Sequence, residues 1–252
     1  AQLWWGSAER LNALGHACAT VDQRGHGRSD KPDDGYTLER AWRDLMAVIE
    51  ALRSGDWFGP RLIVAGQSWG ANVVLELGWQ HPEAVAGVVC VDGGTIELSA
   101  RFADWESCAG ALAPPRLVGT PRTEIEAYFR SAHGDWPESG IEASLANFET
   151  REDGTIAPWL TFERHMKLLR ALWEHRPSSR YPEMKVPVLL VPADSGGRTG
   201  SVSKRDEVDA AVAAIPAARA HWFSPADHDI HAQHPVELAD LMHSEATDGV
   251  LA

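Results

Sequence analysis

Gly66-Gln67-Ser68-Trp69-Gly70 is the stretch on which the reading of the fold turns. An apolar run, Leu62-Ile63-Val64-Ala65, leads into it, and a helical pattern, Asn72-Val73-Val74-Leu75-Glu76-Leu77, leads out. Strand, then G-x-S-x-G, then helix is the setting in which a serine is raised on a tight turn. A serine hydroxyl is a weak nucleophile at neutral pH, so it needs that exposure and also a base. Glycine at 66 and 70 removes Cβ atoms where the chain doubles back on itself. The Trp69 amide opens the following helix, where a backbone donor can face developing negative charge. An ordinary Gly-rich turn could carry the same five letters, so the rest of the chain has to decide between the two.

Outward from this turn, strands and helices alternate. Residues 1–14 have helical spacing, with Leu3, Trp4, Ala8, Leu11 and Leu14 on one face and Gly15 to end it. Residues 17–21 read as a short buried strand, followed by the loop Asp22-Gln23-Arg24-Gly25-His26-Gly27-Arg28-Ser29. Residues 36–52 form a second amphipathic pattern. Residues 71–80 continue from the serine turn and stop at His81-Pro82. Residues 85–91 give a further strand, ending at Asp92-Gly93-Gly94. Such alternation with short connections indicates an α/β layer fold with a largely parallel sheet.

The alternation breaks after Gly94. Residues 96–181 show no buried strand but several helical patterns, at 98–108, 122–132, 141–148 and 160–173, separated by prolines and holding Trp105, Trp136, Trp159 and Trp173. They read as an inserted helical lid. Strand and helix then resume, with strands at 186–191 and 218–223 and helices at 205–214 and 235–243. The organisation expected is a first core part at 1–94, a lid at 95–182 and a second core part at 183–252.

Composition narrows the partners. The net charge of −13 leaves no basic surplus for phosphates, which argues against nucleic acid. No run approaches ~20 apolar residues, so no spanning helix is expected. Three widely spaced cysteines, Cys18, Cys90 and Cys108, fit a reducing, cytoplasmic setting without a disulfide framework. No P-loop and no G-x-G-x-x-G behind a strand is present, so no nucleotide cofactor is implied. His228-x-x-His231-x-x-His234 has tempting spacing for a metal, but Pro235 puts it at a helix entry rather than on one helix face, and no metal is assigned.

A serine nucleophile needs a base and the base an orienting acid. His228 lies in the loop after the last strand, and loops at the carboxyl ends of parallel strands converge on one edge with Ser68. Two aspartates also follow strands at that edge, Asp194 in Pro192-Ala193-Asp194-Ser195-Gly196-Gly197 and Asp92. A loop aspartate commonly serves as a turn former instead. Asp194 is preferred as the acid, with Asp92 the alternative, because the chain order serine, acid, histidine permits either.

With these residues in hand, the chain resembles the α/β-hydrolase superfamily in its lidded branch of esterases, lactonases, carbon–carbon hydrolases and proline iminopeptidases. Four segments carry the likeness: Asp22-x-Arg24-Gly25-His26-Gly27-x-Ser29, Gly66 to Gly70, the Asp194 turn, and His228 seven residues before Pro235. The resemblance implies Ser68 as nucleophile, His228 as base, Asp194 as acid and the Trp69 amide as an oxyanion donor, with the Asp22–Ser29 loop shaping the site floor. The family's acid turn usually starts with glycine and has its aspartate three residues on. Here Pro192 starts the turn and the aspartate comes two later, which keeps Asp92 in contention. Relatives that open epoxides or cleave halides use an aspartate at the elbow, where this chain has Ser68.

Family members also begin with further strands and a His-Gly loop that supplies a second oxyanion amide. No His-Gly dipeptide precedes residue 17. The expectation is therefore a chain lacking the upstream strands and half the oxyanion hole, less active and less stable than a longer version, since one lost donor costs ~10²–10³ in rate. The function expected is hydrolysis of an ester, lactone or related acyl bond of a small apolar substrate. The alternatives are a slow-turnover, receptor-like binding member, or carbon–carbon bond hydrolysis or perhydrolysis on the same site.

Overall fold

Short β-rich runs bounded by glycine and proline form the central sheet, and longer amphipathic runs cover its faces. The computed structural model describes residues 1–196 and 202–252. In chain order the elements are α1 (Trp5–Ala13), α2 (Leu38–Ser54), β1 (Ile63–Gln67), α3 (Trp69–Gln80) and β2 (Gly87–Val91). Next come α4 (Leu98–Arg101), α5 (Trp105–Leu112), α6 (Arg122–Ala132), α7 (Glu138–Leu145), β3 (Phe148–Thr150), β4 (Ile156–Pro158) and α8 (Phe162–Glu174). The last set is β5 (Val188–Val191), α9 (Val202–Ala214), β6 (Ala218–Ala220), α10 (Ile230–Gln233) and α11 (Pro235–Thr247).

β1, β2, β5 and β6 pair in that order, every neighbour parallel. Successive strand side chains point to opposite faces, and the two cores follow from that alternation. Val88, Cys90, Val188 and Leu190 pack with α2, α3 and α9, whereas Val89, Val91, Leu189 and Val191 pack with Ile230 and Leu238. β2 is buried along its whole length, as a central parallel strand must be. Side-chain caps start the amphipathic helices, with Thr37 accepting from the Arg40 amide, Asp104 from Ser107 and Thr161 from Arg164. None of the described helices is long and apolar enough to cross a membrane.

Three expectations need correction. Residues 17–21 join no ladder among the described residues. Their exposure alternates and none is buried, so the apolar letters Ala17 to Val21 are not a core strand in this structure. The segment between β2 and β5 is mostly helical but also contains the β3–β4 hairpin, an antiparallel pair with Phe148 opposite Pro158. The single helical pattern over 98–108 divides into α4 and α5, because Asp104 caps a new helix.

A buried polar network ties the end of this segment to α3. The Glu76 side chain is 5% exposed and accepts from Arg180 Nε at 3.1 Å and from Gln80 Nε2 at 3.1 Å, with His175 Nε2 at 3.2 Å. The Asn72 amide meets His175 Nδ1 at 2.9 Å, which makes that nitrogen an acceptor and leaves Nε2–H to donate to Glu76. Arg180 also stacks on Trp79, 3.9 Å from the ring centroid. Burial alone would raise the Glu76 pKa, but the bonds from His175, Arg180 and Gln80 outweigh it and bring it down to about 2. A carboxylate with a depressed folded pKa contributes stability that is present above its unfolded value and is lost as pH falls through the folded value. Glu76→Ala is therefore expected to cost about 3–5 kcal/mol at pH 7 by urea unfolding, since it strands buried partners. The deficit should shrink between pH 4.5 and 2; a deficit independent of pH there would contradict the charged network.

Candidate active site

Ser68 sits between β1 and α3 with φ +52° and ψ −118°, a backbone conformation that side-chain-bearing residues rarely hold and that costs on the order of 1–3 kcal/mol. Neighbouring contacts hold it there. Its amide donates to the Val91 carbonyl at 2.9 Å, and its carbonyl accepts from Ala71 at 3.0 Å. A Cβ on Gly66 would lie 2.1 Å from the Gly70 carbonyl oxygen, so only glycine fits there. Gly70 is less constrained: a Cβ would stand 3.4 Å from the Gln23 side chain, ordinary contact. The Asp22–Ser29 loop reaches the turn through this glutamine, whose Oε1 accepts from the Trp69 indole at 2.8 Å. Trp69 is the first residue of α3, so its amide belongs to the helix N-terminus.

The Asp92 turn packs directly against the serine turn. A Cβ on Gly93 would be 2.5 Å from the Ser68 carbonyl oxygen. Asp92 itself has φ +41°, so two of the three side-chain-bearing residues at positive φ among those described, Ser68 and Asp92, adjoin one another here. The Gly94 amide donates to Asn72 Oδ1 at 2.9 Å and the Gly94 carbonyl accepts from Tyr181 at 3.0 Å, which pins the turn from behind.

His228 Nδ1 lies 2.6 Å from Asp92 Oδ2. The Asp92 side chain is 6% exposed and the His228 ring 52%, so the carboxylate is buried while the imidazole faces out. Asp92 Oδ1 accepts from the Ala193 amide at 2.9 Å and from Lys204 Nζ at 2.5 Å. Burial alone would raise the Asp92 pKa. The His228 bond and charge, with Lys204 and the Ala193 amide, outweigh it and hold the carboxyl below its ordinary value. For His228, burial works toward a lower pKa, but the Asp92 hydrogen bond and charge win and raise it. With Nδ1 committed to Asp92, Nε2 is the nitrogen left for a serine hydroxyl. The His228 carbonyl accepts from Gln67 Nε2 at 3.1 Å, which fastens the histidine loop to the residue before Ser68.

Asp194, the acid preferred from sequence, does not make this contact. Its Oδ1 accepts from the Gly196 amide at 3.1 Å and its Oδ2 from the Ser224 hydroxyl at 3.2 Å, with Arg205 3.9 Å away. Its backbone bonds to Phe223 and Ala226, joining the loop after β5 to the loop after β6. Asp194 is thus a turn former beside the site, and Asp92 is the carboxylate on the histidine. The glycine pair after Asp92 was the sequence signal, because only a turn without side chains can abut Ser68 so closely. Lys204 had no such signal, standing in a charged run on an ordinary helix.

The other histidines of the triplet separate by environment. His231 is buried against Trp4, 4.8 Å between ring centroids, and burial pushes its pKa down to about 3. His234 precedes α11 and stacks near Phe223. No cluster of three metal-ligating side chains occurs among the described residues. Asp227, beside His228, binds residues of the segment between β2 and β5: His133 Nδ1 and Trp136 Nε1 each lie 3.2 Å from its Oδ2. The tryptophans of that segment mainly pack. Trp105 and Trp173 meet edge to face with Arg170 over both rings, and Trp159 donates to the Ala146 carbonyl.

The model of the alpha/beta hydrolase family matches residues 2–241. The 2-(acetamidomethylene)succinate hydrolase of Mesorhizobium japonicum is 27% identical over 179 residues, covering 69% of this chain and 60% of that protein. Epoxide hydrolase B of Mycobacterium tuberculosis is 34% identical over 90 residues, 34% of this chain and 24% of the relative. The chain thus spans between about a quarter and three fifths of the length of these curated relatives. Among solved structures, an E-2-(acetamidomethylene)succinate hydrolase superposes with a TM-score of 0.70 at 23% identity, covering 94% of this chain and 85% of its own. An esterase of M. tuberculosis gives 0.70 at 17% identity, covering 96% and 80%. At these identities the structural likeness speaks to the fold.

The two aspartates can be told apart without any substrate. Asp92→Asn is expected to lower the His228 imidazole pKa measured by NMR titration, because it removes the bond and charge that raise it. Asp194→Asn should leave that titration in place. The reverse pattern would return the acid's place to Asp194.

Proposed function

Because the chain belongs to the alpha/beta hydrolase family, we propose that it is a serine hydrolase of esters or related acyl bonds working through Ser68, His228 and Asp92. The observation that carries the reading is the 2.6 Å contact of His228 with Asp92 at the turn packed against Ser68. Ser68 Oγ attacks the substrate carbonyl while His228 Nε2 takes its proton. Asp92 holds the imidazole and stabilises the imidazolium that forms. The Trp69 amide, at the N-terminus of α3, donates to the oxyanion. His228 then protonates the leaving group, and a water activated by the same nitrogen releases the acyl product from Ser68.

The segment between β2 and β5 serves as a lid in this reading. Its His133 and Trp136 bind Asp227 next to the base. Trp69 packs against both the main core and the Leu98, Cys108, Leu169 and Leu172 cluster, so apolar side chains of the segment come down beside the nucleophile. That lining supports a small apolar acyl group as substrate. The cysteines Cys18, Cys90 and Cys108 are all free, which supports a reducing, cytoplasmic setting.

The test is labelling with a fluorophosphonate probe together with hydrolysis of short p-nitrophenyl esters. Wild-type protein should label and turn over, and Ser68→Ala should do neither. Asp92→Asn is expected to reduce kcat/KM by ~10³–10⁴, the scale of a triad whose histidine has lost its orienting acid. Asp194→Asn should stay within a few-fold of wild type. Since the free base is present only above the raised His228 pKa, the acid limb of kcat/KM should fall above the ordinary histidine value of about 6.5. Tight ligand binding with no Ser68 labelling would sink the hydrolase reading in favour of a binding role.

A further inference from the structure

The Asp92 carboxylate is shared between an imidazole and an ammonium group. Oδ2 meets His228 at 2.6 Å, while Oδ1 meets Lys204 Nζ at 2.5 Å. The same ammonium donates to the Ala193 carbonyl at 2.7 Å, and the Ala193 amide returns a bond to Asp92 Oδ1 at 2.9 Å. Lys204 lies in the first turns of α9, on a different element from Ser68, Asp92 and His228. Its side chain is 32% exposed, so it reaches inward from a helix surface instead of belonging to the core.

Two consequences follow from this arrangement. Partners on opposite oxygens stop the carboxylate from turning about its terminal bond, since rotation would break one contact to improve the other. Positive charge on Oδ1 also competes with the imidazole for the same negative charge. An acid with one partner would pull the histidine proton harder and make the base less available near neutral pH. We propose that Lys204 is a positioning residue of the hydrolytic site, holding the Asp92 carboxylate edge-on to His228 and tempering its pull on the imidazole. The proposal rests on the hydrolase reading above and extends it to a residue outside the serine, histidine and acid.

Other charges facing His228 have to be separated from this effect. Asp229 follows it in the loop and adds to the upward shift of the imidazole, as Asp92 does, while Lys204 works against both. Asp227 precedes it and is engaged by His133. His231, on α10, is held neutral by burial. Lys204 is the group in this set that touches the carboxylate oxygen opposite the imidazole, so its replacement changes one contact of the acid and leaves the loop around His228 alone.

The experiment compares Lys204→Met and Lys204→Arg with wild type, measuring the rate of fluorophosphonate labelling at Ser68 against pH and the His228 imidazole titration by NMR. Lys204→Met is expected to move the acid limb to higher pH, so that the ratio of labelling rates at pH 6 and pH 8 falls at least ~3-fold. Lys204→Arg, which keeps the charge, should recover most of that ratio. An unshifted limb in Lys204→Met, whether or not the overall rate drops, overturns the proposal and leaves Lys204 a structural contact. Absence of Ser68 labelling in wild type would instead reject the hydrolase reading. The NMR titration would then still decide whether Lys204 acts on His228 through Asp92.

Discussion

The hydrogen bond from the Ser68 amide to the Val91 carbonyl joins the two turns on which the site depends. It extends the β1–β2 ladder one residue past the last strand pair, Gln67 opposite Val91, and so sets the serine turn against the acid turn. Both turns then leave ordinary strand geometry at once, Ser68 at φ +52° and Asp92 at φ +41°. Each would relax if it stood alone, because such conformations are costly. They persist because Gly66 admits the Gly70 carbonyl and Gly93 admits the Ser68 carbonyl, at distances no Cβ would tolerate. The strain and the close packing support one another.

Behind these turns the chain places polar groups where a hydrophobic core would have been simpler. Asn72 sits in α3 fully buried and holds the Gly94 amide, the Ile96 carbonyl and His175. Through His175 it connects to Glu76 and Arg180, and Tyr181 caps the Gly94 carbonyl from the same side. A buried polar network stabilises only when each member finds a partner, and this one meets that condition. Its geometry gives it a specific task. It links the helix that starts after Ser68, the turn that carries Asp92, and the end of the segment between β2 and β5, so displacement of any one is resisted by the other two.

Much of this was legible in the letters. The strand, G-x-S-x-G and helix order located Ser68, and the alternation of strands and helices gave the parallel sheet and the edge on which His228 lies. Helix limits read from helical spacing and prolines fell close to those observed at Arg122–Ala132. The errors have physical causes. Residues 17–21 have strand-like composition, but a strand exists only through its ladder, and composition cannot report whether a neighbour is present. Asp194 was preferred over Asp92, the carboxylate that contacts His228 here, because both follow strands that end at the same edge. What separates them is the direction of each carboxylate, which depends on Gly93 packing on Ser68 in one case and on Ser224 and Gly196 capturing the side chain in the other. Lys204 lay beyond any local pattern, because its partner is 112 positions away.

His228 and His231 show how environment assigns roles to identical side chains three residues apart. His228 has a charged acceptor at 2.6 Å and an outward-facing ring, and the bond and charge of Asp92 raise its pKa. His231 has Trp4 over its face and almost no exposure, so the cost of burying a cation keeps it neutral. The difference arises from the short helix α10, which turns Ile230 to Gln233 into the core immediately after the base. A loop that continued outward would leave both rings exposed and neither one oriented. By ending the loop abruptly, α10 limits the freedom of His228 to a few residues, and the Gln67 bond to its carbonyl anchors the other end. His228 is therefore positioned by backbone on both sides before its side chain meets Asp92, which lets a half-exposed histidine hold one orientation without being buried.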